Sequence, residues 1–274
     1  MKIINIIENN SINNQIKCEH GLSTYIEMGN QKVLFDVGQS DKFINNAKTL
    51  KIDLNEIDFV ILSHGHYDHT GGIPAFIDIN KKAKIILHPN GLRERFSRSS
   101  KMIKSNGIPW REEWKKFEDR ILFIERSTEL FPGFWIITDL NGQGSNQVLN
   151  DRLVYKKEDE YIPDPFEDEV VIVMQENNKT ALLSGCAHNG IVPILKKTNL
   201  LLGIKRYNFI GGGLHLNGKS NNQVLNVIEE LNDFNIDTWG LNHCTGQNAI
   251  ELFEQYLPGK VKKFNGGDKI LFNN

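Results

Sequence analysis

Long apolar runs are missing from this 274-residue chain, and with them any segment of membrane-spanning length. An excess of one charge is missing too. Lys and Arg number 32 against 34 Asp and Glu, a net charge of −2, which leaves no electrostatic footprint for nucleic acid. The densest basic stretch, Arg93 to Lys104, is a local patch. Cysteine is scarce. Three residues, Cys18, Cys186 and Cys244, make an odd number, and two of them lie within two residues of a histidine, His188 or His243. That distribution reads as active-site chemistry in a reducing cytoplasm rather than a disulfide framework. The N-terminus alternates like a strand and lacks a cleavage site, so no signal peptide is expected. No internal repeat of fixed period occurs.

Residues 63 to 72 carry the strongest signal: Ser-His-Gly-His-Tyr-Asp-His-Thr-Gly-Gly. Four potential metal ligands, His64, His66, Asp68 and His69, fall within six positions, directly after the apolar run Ile57 to Leu62. That run is short and β-branched, and predicts a buried strand. Ligands at the end of a buried strand sit on rigid backbone yet open into a cleft, as metal chemistry requires. The mixture of imidazole and carboxylate suits one or two divalent ions, zinc first, with manganese and iron also compatible. A surface loop that happens to gather three of the eight histidines is the poorer account.

Strand-like and helix-like segments alternate along the chain, and the whole of 1–274 is expected to form one domain. Leu22 to Met28 and Gln31 to Phe35 predict a hairpin across Gly29-Asn30. Further strands are expected at Ala83–Leu87, Ile121–Ile124, Phe134–Thr138, Val170–Gln175 and Thr180–Leu183, and helices at Asp41–Leu50, Ser220–Phe234 and Ala249–Tyr256. Residues 90–120 are expected to form a helical insertion, and the polar stretch 143–165 a long, lid-like loop. Two β-rich halves, each followed by helices, fit a layered α/β/β/α sandwich better than a doubly wound sheet.

Two later segments repeat the strand-end setting. Thr180–Leu183 runs into Ser184-Gly185-Cys186-Ala187-His188, and Trp239–Asn242 into His243-Cys244-Thr245-Gly246. One loop supplies too few donors for a four-coordinate ion, so His188 and His243 are the candidates to complete it, with Cys186 a possible additional ligand. The run Gly211-Gly212-Gly213-Leu214-His215 allows close backbone approach, which makes Gly212, Gly213 and His215 substrate-binding candidates together with Thr245. His20 could line the cleft or lie at the surface, and His88 reads as structural. Asp168 and Glu169 precede a strand and could add a carboxylate ligand, but read better as part of a solvated acidic turn.

The His-x-His-x-Asp-His run after a hydrophobic strand resembles the signature of the metallo-β-lactamase superfamily. The hairpin ending in Asp36-Val37-Gly38 and the late strand-end His243 extend the resemblance along nearly the whole chain. It implies a four-layer αββα sandwich (α/β, of the α+β kind) with the metal site along one edge of the sheets. The segments around His20, 63–72, 184–190, 211–215 and 243–246, in that order, are similar to a subgroup named for an archaeal dihydropterin-6-ylmethyl-ribofuranosylaminobenzene 5′-phosphate synthase. The chain departs from the wider superfamily at two points. It has no histidine between His88 and His188, and Gly185-Cys186 stands where many dinuclear hydrolases carry Gly-Asp.

The resemblance implies that His64, His66 and His188 hold one ion while Asp68, His69 and His243 hold or orient a second. It predicts an enzyme: a metal-dependent hydrolase attacking a small, anionic, phosphoester-like substrate through a metal-bound hydroxide, with Asp68 as proton acceptor. The alternative is a transferase joining a pterin diphosphate to a ribofuranosylaminobenzene phosphate with loss of diphosphate. A non-catalytic metal- or pterin-binding sensor is the third reading, and retention of the full ligand set argues against it. The expected partner is a small molecule, with neither nucleic acid nor membrane.

Overall fold

The computed structural model describes residues 1–140 and 152–272. Two seven-stranded sheets and a small four-stranded one organise the chain. The first sheet has the order β18 (Lys269–Leu271), β1 (Lys2–Ile7), β2 (Ser23–Met28), β3 (Gln31–Phe35), β4 (Phe59–Ile61), β5 (Lys84–Leu87), β8 (Ile121–Phe123). The second runs β17 (Val261–Lys263), β16 (Trp239–Leu241), β15 (Phe209–Gly212), β14 (Lys179–Ser184), β13 (Val171–Glu176), β10 (Phe134–Ile137), β9 (Thr128–Phe131). Each sheet is antiparallel over one half and parallel over the other: β3–β4–β5–β8 in the first, β14–β15–β16–β17 in the second.

Side chains alternate across a strand, so one apolar strand can face two cores at once. Val33 and Phe35 of β3 point into the space between the sheets, where they meet Phe134, Ile172 and Leu183 of the second sheet. Leu34, between them, faces outward onto α1 (Lys42–Thr49) and α3 (Ile73–Ile79), packing with Phe43, Ala47 and Phe76. Leu182 of β14 likewise faces α4 (Ile191–Leu202), α5 (Asn221–Leu231) and α6 (Gln247–Tyr256). Helices thus cover both outer faces of two packed sheets, which is the expected αββα sandwich. Continuous apolar runs such as Phe59–Leu62 follow from burial on both faces.

Residues 90–120 depart from the helical expectation. They contain β6 (Arg95–Arg98), β7 (Ile103–Ser105) and a 3-10 segment, Arg111–Arg120, broken at Phe117, with no α-helix. The aromatic residues that suggest a helix instead anchor the segment: Trp110 and Phe117 are buried beside the first sheet, and the Trp110 indole N–H donates to Thr70 O at 2.7 Å. Of the expected lid at 143–165, residues 143–151 lie outside the described residues. The remainder forms the hairpin β11 (Leu153–Lys157) and β12 (Glu160–Pro163), which pairs with β6 to complete the third sheet, β12–β11–β6–β7. Among the described residues no helix is long and apolar enough to cross a membrane.

Candidate metal centre

Parallel strands deliver the site. Ser184, Gly212 and Leu241 lie level at the ends of β14, β15 and β16, and the chain leaves each into a loop carrying Cys186 and His188, His215, and His243. Across the sandwich, β4 delivers the 63–70 segment, which turns into α2 (Tyr67–Thr70). Ligand sites in open α/β sheets form outside the carboxyl ends of such strands. Four non-glycine residues at these exits hold left-handed backbone: Asp36 (φ 62°), Ala187 (φ 53°), His215 (φ 51°) and His243 (φ 48°). Conformations of this kind cost about 1–3 kcal/mol each and persist where packing over-determines them.

Asp36 organises the motif loop. It stands at the end of β3, beside β4, and accepts from Ser63 N and Ser63 Oγ at 2.7 Å each. Its Oδ2 also lies 2.6 Å from His69 Nδ1, so the His69 Nε2 lone pair is turned toward the site. Gly65 donates to Asp168 Oδ2 at 2.7 Å, and Asp168 Oδ1 accepts from Arg95 Nη2 at 2.6 Å. A Cβ at Gly65 would sit 2.1 Å from Gly91 O and 2.3 Å from Arg95 Nη1, so the loop rests directly on this ion network. Arg95 also binds Asp164 through Nε, and both aspartates are buried with it.

The other histidines are held as firmly. Glu169 accepts from His188 N at 2.6 Å and from both nitrogens of Asn189 at 2.8 Å, and the ring of Phe166 stacks on His188 with centroids 3.7 Å apart. Burial pushes the Glu169 carboxyl up to about 7 against the lowering effect of those donors. Glu8 accepts from His243 N at 2.6 Å, and Asn9 Oδ1 lies 3.0 Å from His243 Nδ1, leaving Nε2 to face inward. Asp168 and Glu169 are therefore not a solvated turn; each is 1% exposed and braces a donor loop. Asp36, Arg95, Glu8 and Glu169 escape sequence reasoning because their partners are remote in the chain. Asp36 alone had a signal, as the residue that ends a strand beside the motif strand.

Two donor groups result. His64 Nε2 lies 2.9 Å from His66 Nδ1 and 3.3 Å from His188 Nε2. His69 Nε2 lies 3.2 Å from His243 Nε2, and Asp68 Oδ2 lies 3.9 Å from His69 Nε2 and 3.4 Å from His243 Nε2. Tetrahedral ligands at about 2.0–2.1 Å from a zinc-sized ion stand roughly 3.3 Å apart, so both groups have the spacing of a coordination shell. In the first group the protonation states agree. Burial, reinforced by neighbouring histidines, holds His64 and His188 well below the usual imidazole range, and burial does the same to His66. Three neutral imidazoles converging without intervening donors is an arrangement that a cation resolves. Burial raises the Asp68 carboxyl, but the charge of His69 and hydrogen bonds from His20 and His243 outweigh it and keep Asp68 well below the usual carboxylate range. His69, despite burial, is raised to about 9 by Asp36 and Asp68. The donor set fits one or two divalent ions.

Cys186 sits between the groups. Its Sγ is 3.2 Å from His69 Nε2, and it shares donor clusters, with all donor atoms within 4.8 Å, with His64 and His69, with His188 and His215, and with His243 and Cys244. His20 Nε2 reaches Asp68 Oδ2 at 3.1 Å from a half-exposed position at the pocket wall. The pocket has a volume of about 600 Å³, with His66, Asp68, His188, His215 and His243 among its lining residues.

Gly212, Gly213 and Thr245 do not line that pocket. A Cβ on Gly212 (φ 118°) would meet Ser184 O at 1.9 Å, and one on Gly213 would meet Cys244 Sγ at 2.5 Å. The glycines let protein, not substrate, come close. Thr245 is buried and accepts from Leu214 N through Oγ1 at 3.1 Å. Their expected substrate role is corrected to packing beneath the site. His88 is structural as expected, its Nδ1 accepting from Asn90 N.

His215 does line the pocket, its ring 4.2 Å from that of His188 and its Nδ1 buried without a partner. If it serves substrate, His215→Ala raises KM or lowers kcat while bound metal, measured by elemental analysis, stays unchanged. Loss of metal in that variant would make His215 a ligand instead.

An αββα sandwich with a histidine- and carboxylate-rich centre at its strand ends is the framework of a metallohydrolase-type protein. The family profile of the metallo-β-lactamase superfamily matches residues 16–138 of the chain. The chain is 28% identical over 265 residues to the 7,8-dihydropterin-6-methyl-4-(β-D-ribofuranosyl)-aminobenzene-5′-phosphate synthase of Methanocaldococcus jannaschii, covering 93% of this chain and 90% of that one. Among solved structures, Tm1679, a metal-dependent hydrolase of the β-lactamase superfamily, superposes with a TM-score of 0.84 at 28% identity, with all of both chains covered. The zinc-bound PqqB of Methylobacterium extorquens shares the fold, with a TM-score of 0.56 at 11% identity over 99% of this chain and 100% of that one.

Proposed function

We propose that this chain, acting as a single domain over 1–274, is a metal-dependent hydrolase of a small, anionic, phosphoester-like substrate. The observation that carries the reading is the pair of donor groups, His64/His66/His188 and Asp68/His69/His243, opening into one pocket. Divalent ions held there would supply Lewis acidity and a water-derived nucleophile at neutral pH. Cys186, between the groups, could add a sulfur donor to such an ion.

The chain's own residues do the rest. Asp36 and Asn9 fix the ring orientations of His69 and His243, so their Nε2 lone pairs need no reorganisation. Asp68 Oδ2, ionised and facing the pocket, accepts the proton that the attacking water gives up, and His20 Nε2 at 3.1 Å holds that carboxylate in place. His215, with an unpartnered ring nitrogen, is placed to hydrogen-bond the substrate.

The relationship to the archaeal synthase favours a second reading, transfer of a dihydropterin from its diphosphate to an arylamine. The two reactions differ in what they require of water. Supplying the purified, metal-loaded chain with a pterin diphosphate, with and without the arylamine phosphate in ¹⁸O-labelled water, separates them. Hydrolysis predicts diphosphate release at the same rate without amine, and labelled oxygen in a product. Release that depends on the amine and yields a C–N bond would overturn hydrolysis in favour of transfer. If neither occurs, a panel of phosphomonoesters, phosphodiesters and lactones decides whether the chain hydrolyses at all.

A further inference from the structure

Two of the three cysteines meet at the metal centre, although 58 positions separate them in the chain. Cys186 follows β14 and Cys244 follows β16, with β15 between those strands. They reach each other because Gly213 stands at the exit of the strand between them. A Cβ at Gly213 would lie 2.5 Å from Cys244 Sγ and 3.4 Å from Cys186 Cα, so a side chain there would fill the space in which the thiols meet. The two sulfurs and a ring nitrogen of His243 all lie within 4.8 Å of one another, and Cys244 Sγ is 3.6 Å from Cys186 O. Both thiols are free and both residues line the metal pocket, so a small oxidant that enters it reaches them. Cys18 is exposed and is not among the described lining residues.

Paired thiols respond to a hydroperoxide differently from a single one. With hydrogen peroxide, the first sulfur attacks an oxygen, the O–O bond breaks, and a sulfenic acid and water result. The second sulfur then attacks the first, forms the S–S bond and expels hydroxide, which leaves as water with the second thiol's proton. The two cysteines lose two electrons and two protons, and the peroxide becomes two waters. A disulfide sulfur is no longer a thiolate donor.

We propose that Cys186 and Cys244 form an oxidative modification site, at which a hydroperoxide closes a reversible disulfide that withdraws the Cys186 sulfur from its place 3.2 Å from His69 Nε2 and loosens the metal held there. The loosening rests on the metal-centre reading; the disulfide itself requires no turnover.

Peptide mapping and elemental analysis of the zinc-loaded full chain after hydrogen peroxide test it, zinc being chosen because it has no redox chemistry of its own. The expected result is one reactive thiol left of three, a linked peptide containing Cys186 and Cys244, and a loss of about one equivalent of zinc. Dithiothreitol with fresh zinc should reverse all of it. Cys244→Ser, which leaves every donor of the two groups in place, should form no link and keep its zinc under peroxide. Cys18→Ser should behave as the unsubstituted chain does. Three intact thiols, oxygen added to one cysteine without a link, or a link through Cys18 overturns the site. A Cys186–Cys244 link with undiminished zinc, or equal zinc loss in Cys244→Ser, overturns its hold on the metal. None of these readouts uses a substrate, so failure of the hydrolase reading in the labelled-water experiment leaves them unchanged.

Discussion

His188→Ala is expected to strip the chain of about one equivalent of bound metal and to lower kcat/KM by more than about 100-fold, beyond the 10–100-fold typical of outer-shell partners. The reason is geometric. His188 Nε2 stands 3.3 Å from His64 Nε2, on a loop that Glu169 ties down at two successive backbone nitrogens, so its ring is held beside the other two donors of its group. His243→Ala should remove metal from the other group, where His69 and Asp68 remain. Elemental analysis of the two variants beside the unsubstituted protein provides the measurement. Full metal content in His188→Ala would break the assignment of the first group, and full content in His243→Ala that of the second.

The largest expected effect on stability belongs to a residue that touches no metal. Arg95 is 1% exposed and bridges Asp164 and Asp168, which are equally buried. Removing one member of a buried ionic network leaves charge uncompensated and typically costs about 3–5 kcal/mol. Arg95→Ala should therefore lower the denaturant midpoint markedly, and it should also weaken metal binding, because Asp168 holds Gly65 between the two motif histidines.

The pH dependence has a defined sign. Burial already raises the Asp168 carboxyl even though Arg95 pulls it down. Without Arg95 its folded-state pKa rises further above the unfolded value. The folded variant then binds a proton that the unfolded chain does not, so the contribution of Asp168 to stability is most favourable below its unfolded pKa and is lost as pH rises through the folded pKa. The destabilisation caused by Arg95→Ala should accordingly shrink on acidification. A deficit independent of pH would mean that lost packing, not buried charge, is responsible.

How far the sequence reached depends on whether the deciding contacts were local. His64, His66, Asp68 and His69 were legible because a four-donor run after a buried strand has few other uses, and the sandwich was legible because strand and helix periodicities differ. Strand-end placement also nominated His188 and His243 from a setting that recurs within the chain. Tertiary structure decided the rest. Asp36 braces His69 across 33 positions, Glu8 braces His243 across 235, and Arg95 meets Asp168 across 73. An aspartate, a glutamate or an arginine is by default a surface residue, and only the fold reveals that these are buried and paired. The same holds for 90–120, whose aromatic and charged composition suits a helix. Its first strand, β6, is flanked by β7 on one side and by the 153–157 segment on the other, and strand pairing at that second separation leaves no periodic trace in either partner alone.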